Sequence, residues 1–248
     1  MKQPKVASPQ RLTLLSPPPA SIRQIWQKGQ SNVTSLFAIG FLGRQGSSYL
    51  EGLLNSHPDA QCLGEIIALK DPSEEIAPFL RRMVHSADAA SSGFKLPLLH
   101  LQGNPDLLPF LRENNYKIIT LSRKNKLDQL VSFILAGSNN AWRSDFGEYK
   151  TTSIVVNAAD FESYVKVSYE ADAELERTLK DLPTLHMTYE DLISPQGYMP
   201  ALDFLNLRRV ELNSPFDRQR KGSQREAILN YDELVRHFSG TELSKYFT

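Results

Sequence analysis

Residues 37–54, FAIGFLGRQGSSYLEGLL, carry the residue types of an anion cradle. An apolar run over residues 35–39 reads as a buried strand that ends at Gly40. Tyr49, Leu50, Leu53 and Leu54 then fall at helical spacing, so a helix begins near Ser47. Gly43 and Gly46 let the connecting turn close tightly between the two. The first N–H groups of such a helix converge on one spot, where the helix dipole favours negative charge. Ser47 and Ser48 add hydroxyls and Arg44 adds a cation, which suits a phosphate. The nucleotide-triphosphate pattern G-x-x-x-x-G-K-[ST] is not met, because Ser47 follows Gly46 where the lysine belongs. An ATP-Mg²⁺-dependent kinase is therefore the second reading, not the first. The dinucleotide fingerprint G-x-G-x-x-G is missing as well.

Composition bounds the rest. The 248 residues carry 28 Lys+Arg against 28 Asp+Glu, and this zero formal charge argues against a general nucleic-acid or anionic-membrane binder. A hydrophobic share of 41% with 23% charged residues is that of a globular chain. The single cysteine, Cys62, excludes an intrachain disulfide and a multi-cysteine metal site. His85, His100, His186 and His237 show no metal-ligand spacing, so no metal is expected. No run approaches the roughly 18 apolar residues of a membrane span. Residues 1–34, rich in Pro and Ser with no apolar signal core, read as a poorly ordered leader. A cytoplasmic location is the expectation, with residues 35–248 forming one domain.

Strand-like and helix-like stretches alternate behind the cradle. Residues 92–96, 116–122 and Thr184–Thr188 read as further strands. Asp71-Pro72-Ser73-Glu74 reads as a helix start, the helix running toward His85. Asn104-Pro105 caps a short helix to about Arg112, and residues 126–136 form the helix behind the best strand. A long amphipathic helix starts at Asp160, and a last one spans residues 230–238. This alternation predicts a three-layer α/β fold, a central parallel sheet flanked by helices with a P-loop-like strand–loop–helix. Residues 137–159 stand out as one long irregular insertion, the usual form of a lid.

The run Gly43-Arg44-Gln45-Gly46-Ser47-Ser48-Tyr49-Leu50, with Leu54-Asn55-Ser56-His57-Pro58-Asp59 and Gly64-Glu65 behind it, resembles the phosphosulfate-binding loop of sulfotransferases. The bacterial and carbohydrate-type branch is the nearer one. These enzymes use 3′-phosphoadenosine 5′-phosphosulfate (PAPS) as co-substrate. Gln45 departs from the family's usual Ser or Thr, which removes a hydroxyl and leaves the backbone donors. The strand Lys117-Ile118-Ile119-Thr120-Leu121-Ser122 with Arg123, and Gln129-Leu130-Val131-Ser132 after it, is similar to the family's second motif. There a strand-end Arg and a helix Ser hold the 3′-phosphate. The step from Arg123 to Ser132 is one position longer than the commoner family spacing, which would select Lys124 instead. Arg220-Lys221-Gly222 is similar to the element that wraps the 3′-phosphate, and Tyr189-Glu190-Asp191-Leu192 to a strand-end signature read as structural.

The resemblance implies transfer of a sulfuryl group to a hydroxyl or amine by in-line displacement. Arg44, Gln45, Gly46, Ser47, Ser48 and Tyr49 are then the donor-binding loop, with Arg123, Ser132, Arg220, Lys221 and Gly222 at the 3′-phosphate. Glu65 sits where related enzymes place a catalytic glutamate, His57 is a rival base, and Lys95 falls where some relatives carry a lysine near the sulfuryl group. A non-catalytic nucleotide-binding relative would keep the loop and tolerate loss of Glu65. The acceptor, a small molecule or glycan, would be met by residues 66–85 and 137–159. There Trp142, Phe146 and Tyr149 offer either a stacking surface or a small core of the lid itself.

Overall fold

The computed structural model describes residues 33–143, 150–216 and 222–248. Five strands form one parallel sheet: β1 (Ser35–Phe41), β2 (Ala60–Cys62), β3 (Ser91–Pro97), β4 (Lys117–Ser122) and β5 (Thr184–Thr188), in the spatial order β2-β3-β1-β4-β5. The helices are α1 (Ser47–Asn55), α2 (Ile76–Leu80), α3 (Leu98–Gln102), α4 (Leu107–Glu113), α5 (Lys126–Asn139), α6 (Ala158–Leu179), α7 (Tyr189–Leu192), α8 (Met199–Leu205), α9 (Gln224–Ala227) and α10 (Tyr231–Phe238). The expected α/β sheet is present. Strand order changes direction at β1, so the crevice beyond its carboxyl end is where such sheets bind ligands.

Alternation along β1 builds two cores. Ala38, with Phe94, Leu96 and Ile118, faces α2, α4 and the Leu175–Leu179 side of α6. Phe37, Ile39 and Phe41 face Leu50, Leu53 and Leu54 of α1 and Leu202 and Leu205 of α8. A third cluster joins α5, α6 and α10, with Phe161 set edge-on against Phe238, Tyr246 and Phe247 at 5.5, 5.9 and 6.0 Å. Gly93 is obligatory in β3, because a Cβ there would stand 2.3 Å from the Phe37 carbonyl oxygen. The Ser-Ser-Gly start of β3 makes it look weak in sequence, yet it lies between β1 and β2.

Two expected helix starts move. Asp71 Oδ1 accepts from Ser73 N–H at 2.8 Å, two residues on, which closes an Asx turn, and α2 begins only at Ile76. The Asn104 side chain donates back to the His100 carbonyl at 2.7 Å, and α4 begins at Leu107. The long helix starts at Ala158 because Asn157 accepts from the N–H groups of Ala159 and Asp160. The insertion expected from residue 137 starts later, since α5 continues to Asn139. Among the described residues no helix is long and apolar enough to cross a membrane. Leader residues 1–32, and Phe146, Tyr149, Arg220 and Lys221, lie outside the described residues.

Candidate active site

The turn between β1 and α1 is set by two left-handed residues, Arg44 at φ 66° and Gly46 at φ 90°. A side chain at Gly46 is barred twice, by that φ and by Tyr189 Cδ2 at 2.7 Å from an added Cβ. The first α1 N–H to find a helical carbonyl is that of Leu50, on Gly46 O at 3.0 Å. The N–H groups of Ser47, Ser48 and Tyr49 precede it at the helix mouth, as the sequence predicts.

On one side of this mouth stand three residues from three elements. Arg44 Nε donates to Ser132 Oγ on α5 at 2.8 Å, and its Nη1 donates to the Trp142 carbonyl at 2.6 Å. Arg123, at the end of β4, donates from Nη1 to the Arg44 carbonyl at 3.2 Å and lies 3.7 Å from Asp128 Oδ2. Its guanidinium stacks on the Tyr189 ring, 4.5 Å from the centroid. Lys124 points elsewhere: its Nζ is 2.8 Å from Asp191 and the side chain is exposed. Arg44, Ser132 and Arg123 thus converge, and Lys124 does not join them. The indole of Trp142 packs edge-on against Phe133 at 5.4 Å beside Gly43.

On the other side Lys95 is the hub. It is only 3% exposed, and its Nζ lies 3.1 Å from Ser48 Oγ, 3.3 Å from Glu51 Oε2 and 3.1 Å from Glu65 Oε1. The Phe41 ring lies under the same ammonium at 5.4 Å. Residues 63–65 extend along β3, with Leu63 N–H on Gly93 O at 2.9 Å and Lys95 N–H on Gly64 O at 2.8 Å, which brings Glu65 over the hub. Glu65 keeps 45% of its side chain exposed, whereas Glu51 keeps 8%. Arg143 approaches Glu51 Oε1 at 3.8 Å. Behind this group burial, with Glu51 nearby, pushes the Cys62 thiol up to about 12, so it is not a nucleophile at neutral pH.

His57 stands apart from the mouth. It lies beyond the far end of α1, roughly 13 Å along the helix from the mouth at 1.5 Å per residue. Its Nδ1 accepts from Asp59 N–H at 3.0 Å, so the proton is on Nε2, which donates to Arg208 O at 3.0 Å, and the ring is buried. Asn55 similarly brackets β2, donating to Cys62 O at 2.9 Å and accepting from Cys62 N–H at 2.7 Å. The Asn55-Ser56-His57-Pro58 stretch therefore shapes the return to the sheet. His57→Ala should cost about 1–3 kcal/mol of stability through the unpaired backbone groups it leaves. It should spare turnover per folded molecule, and a large loss of turnover at equal folding would restore His57 as a base.

Gln45 lies in the loop but turns inward and is fully buried. Gly222, at φ 94°, precedes the Ser223–Glu226 capping box of α9. Glu51, Asp172, Gln129 and Arg143 were not legible as site residues, because their partners are distant in sequence. Tyr189, expected to be structural, is the wedge between Gly46 and Arg123. Among the described residues no group of three or more His, Cys, Asp or Glu could hold a metal.

A parallel sheet with a glycine-bent strand–loop–helix at its switch point, flanked by Arg44 in the turn, Arg123 at the end of β4 and Lys95 on β3, defines a P-loop-like α/β fold. In sequence the chain is similar to nodulation protein H of Rhizobium tropici, 27% identical over 232 residues and covering 85% of this chain and 92% of that protein. Nodulation protein H of Rhizobium meliloti (strain 1021) is 28% identical over 246 residues, covering 85% and 94%. No known family's sequence profile matches the chain. Among solved structures, the sulfotransferase from Alicyclobacillus acidocaldarius aligns over 86% of this chain and 92% of its own with 14% identity and a TM-score of 0.46. The sulfotransferase domain from the curacin biosynthetic pathway covers 81% and 87% with 14% identity and a TM-score of 0.48. Mouse sulfotransferase SULT7A1 complexed with PAP covers 77% and 65% with 12% identity and a TM-score of 0.44.

Proposed function

We propose that the protein transfers a sulfuryl group from PAPS to a hydroxyl or amine of a small-molecule or glycan acceptor. The observation that carries this reading is the gathering of Lys95, Ser48 and Glu65 at the mouth of α1, beside the convergence of Arg44, Ser132 and Arg123. In the reaction the bond from sulfur to the 5′-phosphate oxygen breaks as a bond to the acceptor oxygen or nitrogen forms. Charge grows on the departing phosphate, where Arg44 and the N–H groups of Gly46, Ser47, Ser48 and Tyr49 meet it. Lys95 neutralises the sulfuryl oxygens in flight. Glu65, half-exposed toward solvent, takes the acceptor proton. Arg123 and Ser132 hold the 3′-phosphate, and Arg220, Lys221 and Gly222 are the further candidates that the sequence offers for it. Gln45 serves the loop by its backbone. The chemistry needs no metal, and the reaction belongs in the cytoplasm, as the sequence suggests.

Thermal unfolding with 3′-phosphoadenosine 5′-phosphate, against ATP-Mg²⁺ as rival, tests the donor site. At a hundredfold excess over its dissociation constant a ligand adds about 2.7 kcal/mol, an easily read shift. The 3′-phosphorylated nucleotide should shift the wild type, and ATP-Mg²⁺ alone doing so would establish the kinase reading. Glu65→Gln should keep the shift and lose about 10²–10⁴-fold in turnover over a panel of hydroxyl acceptors. Full activity in that variant would remove Glu65 as the base.

A further inference from the structure

Buried Gln45 of the loop meets three polar side chains of α5 and α6, of which Lys126 and Gln129 are buried and Asp172 is partly so. Gln45 Oε1 accepts from Leu42 N–H at 2.6 Å, and Gln45 Nε2 donates to Asp172 Oδ1 on α6 at 2.8 Å. Asp172 Oδ2 accepts from Lys126 Nζ at 2.7 Å, and Lys126, the first residue of α5, is 1% exposed. One turn later Gln129 Nε2 donates to the Gly43 carbonyl at 2.9 Å, while its Oε1 lies 3.5 Å from the same ammonium. The ring of Tyr169, a turn before Asp172, faces the Lys126 ammonium at 4.9 Å. Leu42, Gly43 and Gln45 are therefore all tied, through two glutamines, to one ion pair that bridges two helices.

We infer that Asp172 is a positioning residue for the anion loop, and that Gln45 is its tie rather than a ligand of the donor. This deepens the sulfotransferase reading and rests on it for the identity of the ligand. Arg44 holds a left-handed conformation that non-glycine residues rarely adopt. Such a conformation persists only where its surroundings over-determine it. The ties on both flanks of Arg44, at Leu42–Gly43 and at Gln45, fix the loop before any ligand arrives. A loop that is already competent does not lose affinity to its own incompetent conformers. The buried glutamine is thus a functional exchange. A hydroxyl that could touch the ligand is replaced by an amide that reaches α6, and the backbone N–H groups are held in its stead.

The test compares two double variants that both remove the buried ion pair and differ only in whether position 172 can accept from Gln45. Lys126→Met with Asp172→Asn keeps the acceptor, and Lys126→Met with Asp172→Leu loses it. Gln45→Met cuts the same tie, and the Leu42 N–H bond with it, while leaving the ion pair intact. Calorimetric titration with 3′-phosphoadenosine 5′-phosphate should find the Asn double variant within about twofold of wild type. The Leu double variant and Gln45→Met should bind about tenfold more weakly, the order expected for one lost buried hydrogen bond. Amide hydrogen exchange over residues 42–49 in the ligand-free protein should speed up in the same two variants and not in the Asn double variant. Equal affinity and equal loop exchange in all variants, with only the melting temperature changed, would overturn the inference. Wild-type protein that binds no 3′-phosphoadenosine 5′-phosphate would overturn the donor assignment instead. The exchange pattern would then decide the positioning role by itself.

Discussion

Lys95→Met should yield a protein that is both less stable and inactive in sulfuryl transfer, and the two losses should separate on a second substitution. The Lys95 ammonium is nearly fully buried and its closest buried counter-charge is Glu51, with 8% of its side chain exposed. Removing one partner of a buried pair leaves an uncompensated charge and costs about 3–5 kcal/mol. Arg143, 3.8 Å from the other Glu51 oxygen, offsets part of that, so the loss falls at the low end. The Glu65 contact adds little, because 45% of that side chain sits in solvent. Against a total stability of about 5–15 kcal/mol the change is large but survivable. Lys95→Met with Glu51→Leu removes both buried charges and should recover most of the stability in urea denaturation. It should not recover turnover, because the cation beside Ser48 is still missing. Recovery of both would reduce Lys95 to a structural lysine.

What the sequence made legible was contiguous. The strand–loop–helix of residues 35–55 carries its own pattern, with an apolar run, a glycine turn and helical spacing, and α1 starts at the residue expected. Arg123 and Ser132 share one strand–helix unit, so their convergence followed from local geometry. The misses are of two physical kinds. Short elements such as β2, three residues long, and α3, five, carry too little period to stand out. Long-range partners leave no local trace at all. Asp172 lies 127 positions from Gln45, and on a helix face it reads as one more acidic residue. Glu51 looks like a polar position of an amphipathic helix until Lys95, 44 residues on, is folded against it. Asp71 failed for the opposite reason, since a strong local signal was spent on an Asx turn rather than a helix.

Arg123→Ala should weaken binding of 3′-phosphoadenosine 5′-phosphate by about 10–100-fold and leave a nucleotide without the 3′-phosphate nearly unaffected, while Lys124→Ala should change neither by more than about twofold. The sequence left these two cations open, and their surroundings separate them. Arg123 is buried between the Arg44 carbonyl, Asp128 and the Tyr189 ring, so its planar fork is fixed and ordering it for a phosphate costs little. Lys124 is spent on the other side of the turn. Its Nζ meets Asp191, whose carboxyl that hydrogen bond, with another from Thr188, holds below the usual carboxylate range. Its N–H meets Glu190, which also accepts from Asn125 N–H and thereby fixes the entry to α5. A hydrogen bond to a charged group is worth about 1.5–3 kcal/mol, which sets the range given for Arg123. Arg123→Lys keeps the charge but loses the stack and the fork, so it should fall between wild type and alanine. Titrating each variant with adenosine 5′-phosphate and with 3′-phosphoadenosine 5′-phosphate reads the 3′-phosphate contribution as a ratio of the two constants. If that ratio collapses in Lys124→Ala and survives in Arg123→Ala, the spacing argument prevails over the observed geometry. The loop between β4 and α5 would then have to rearrange when the donor binds.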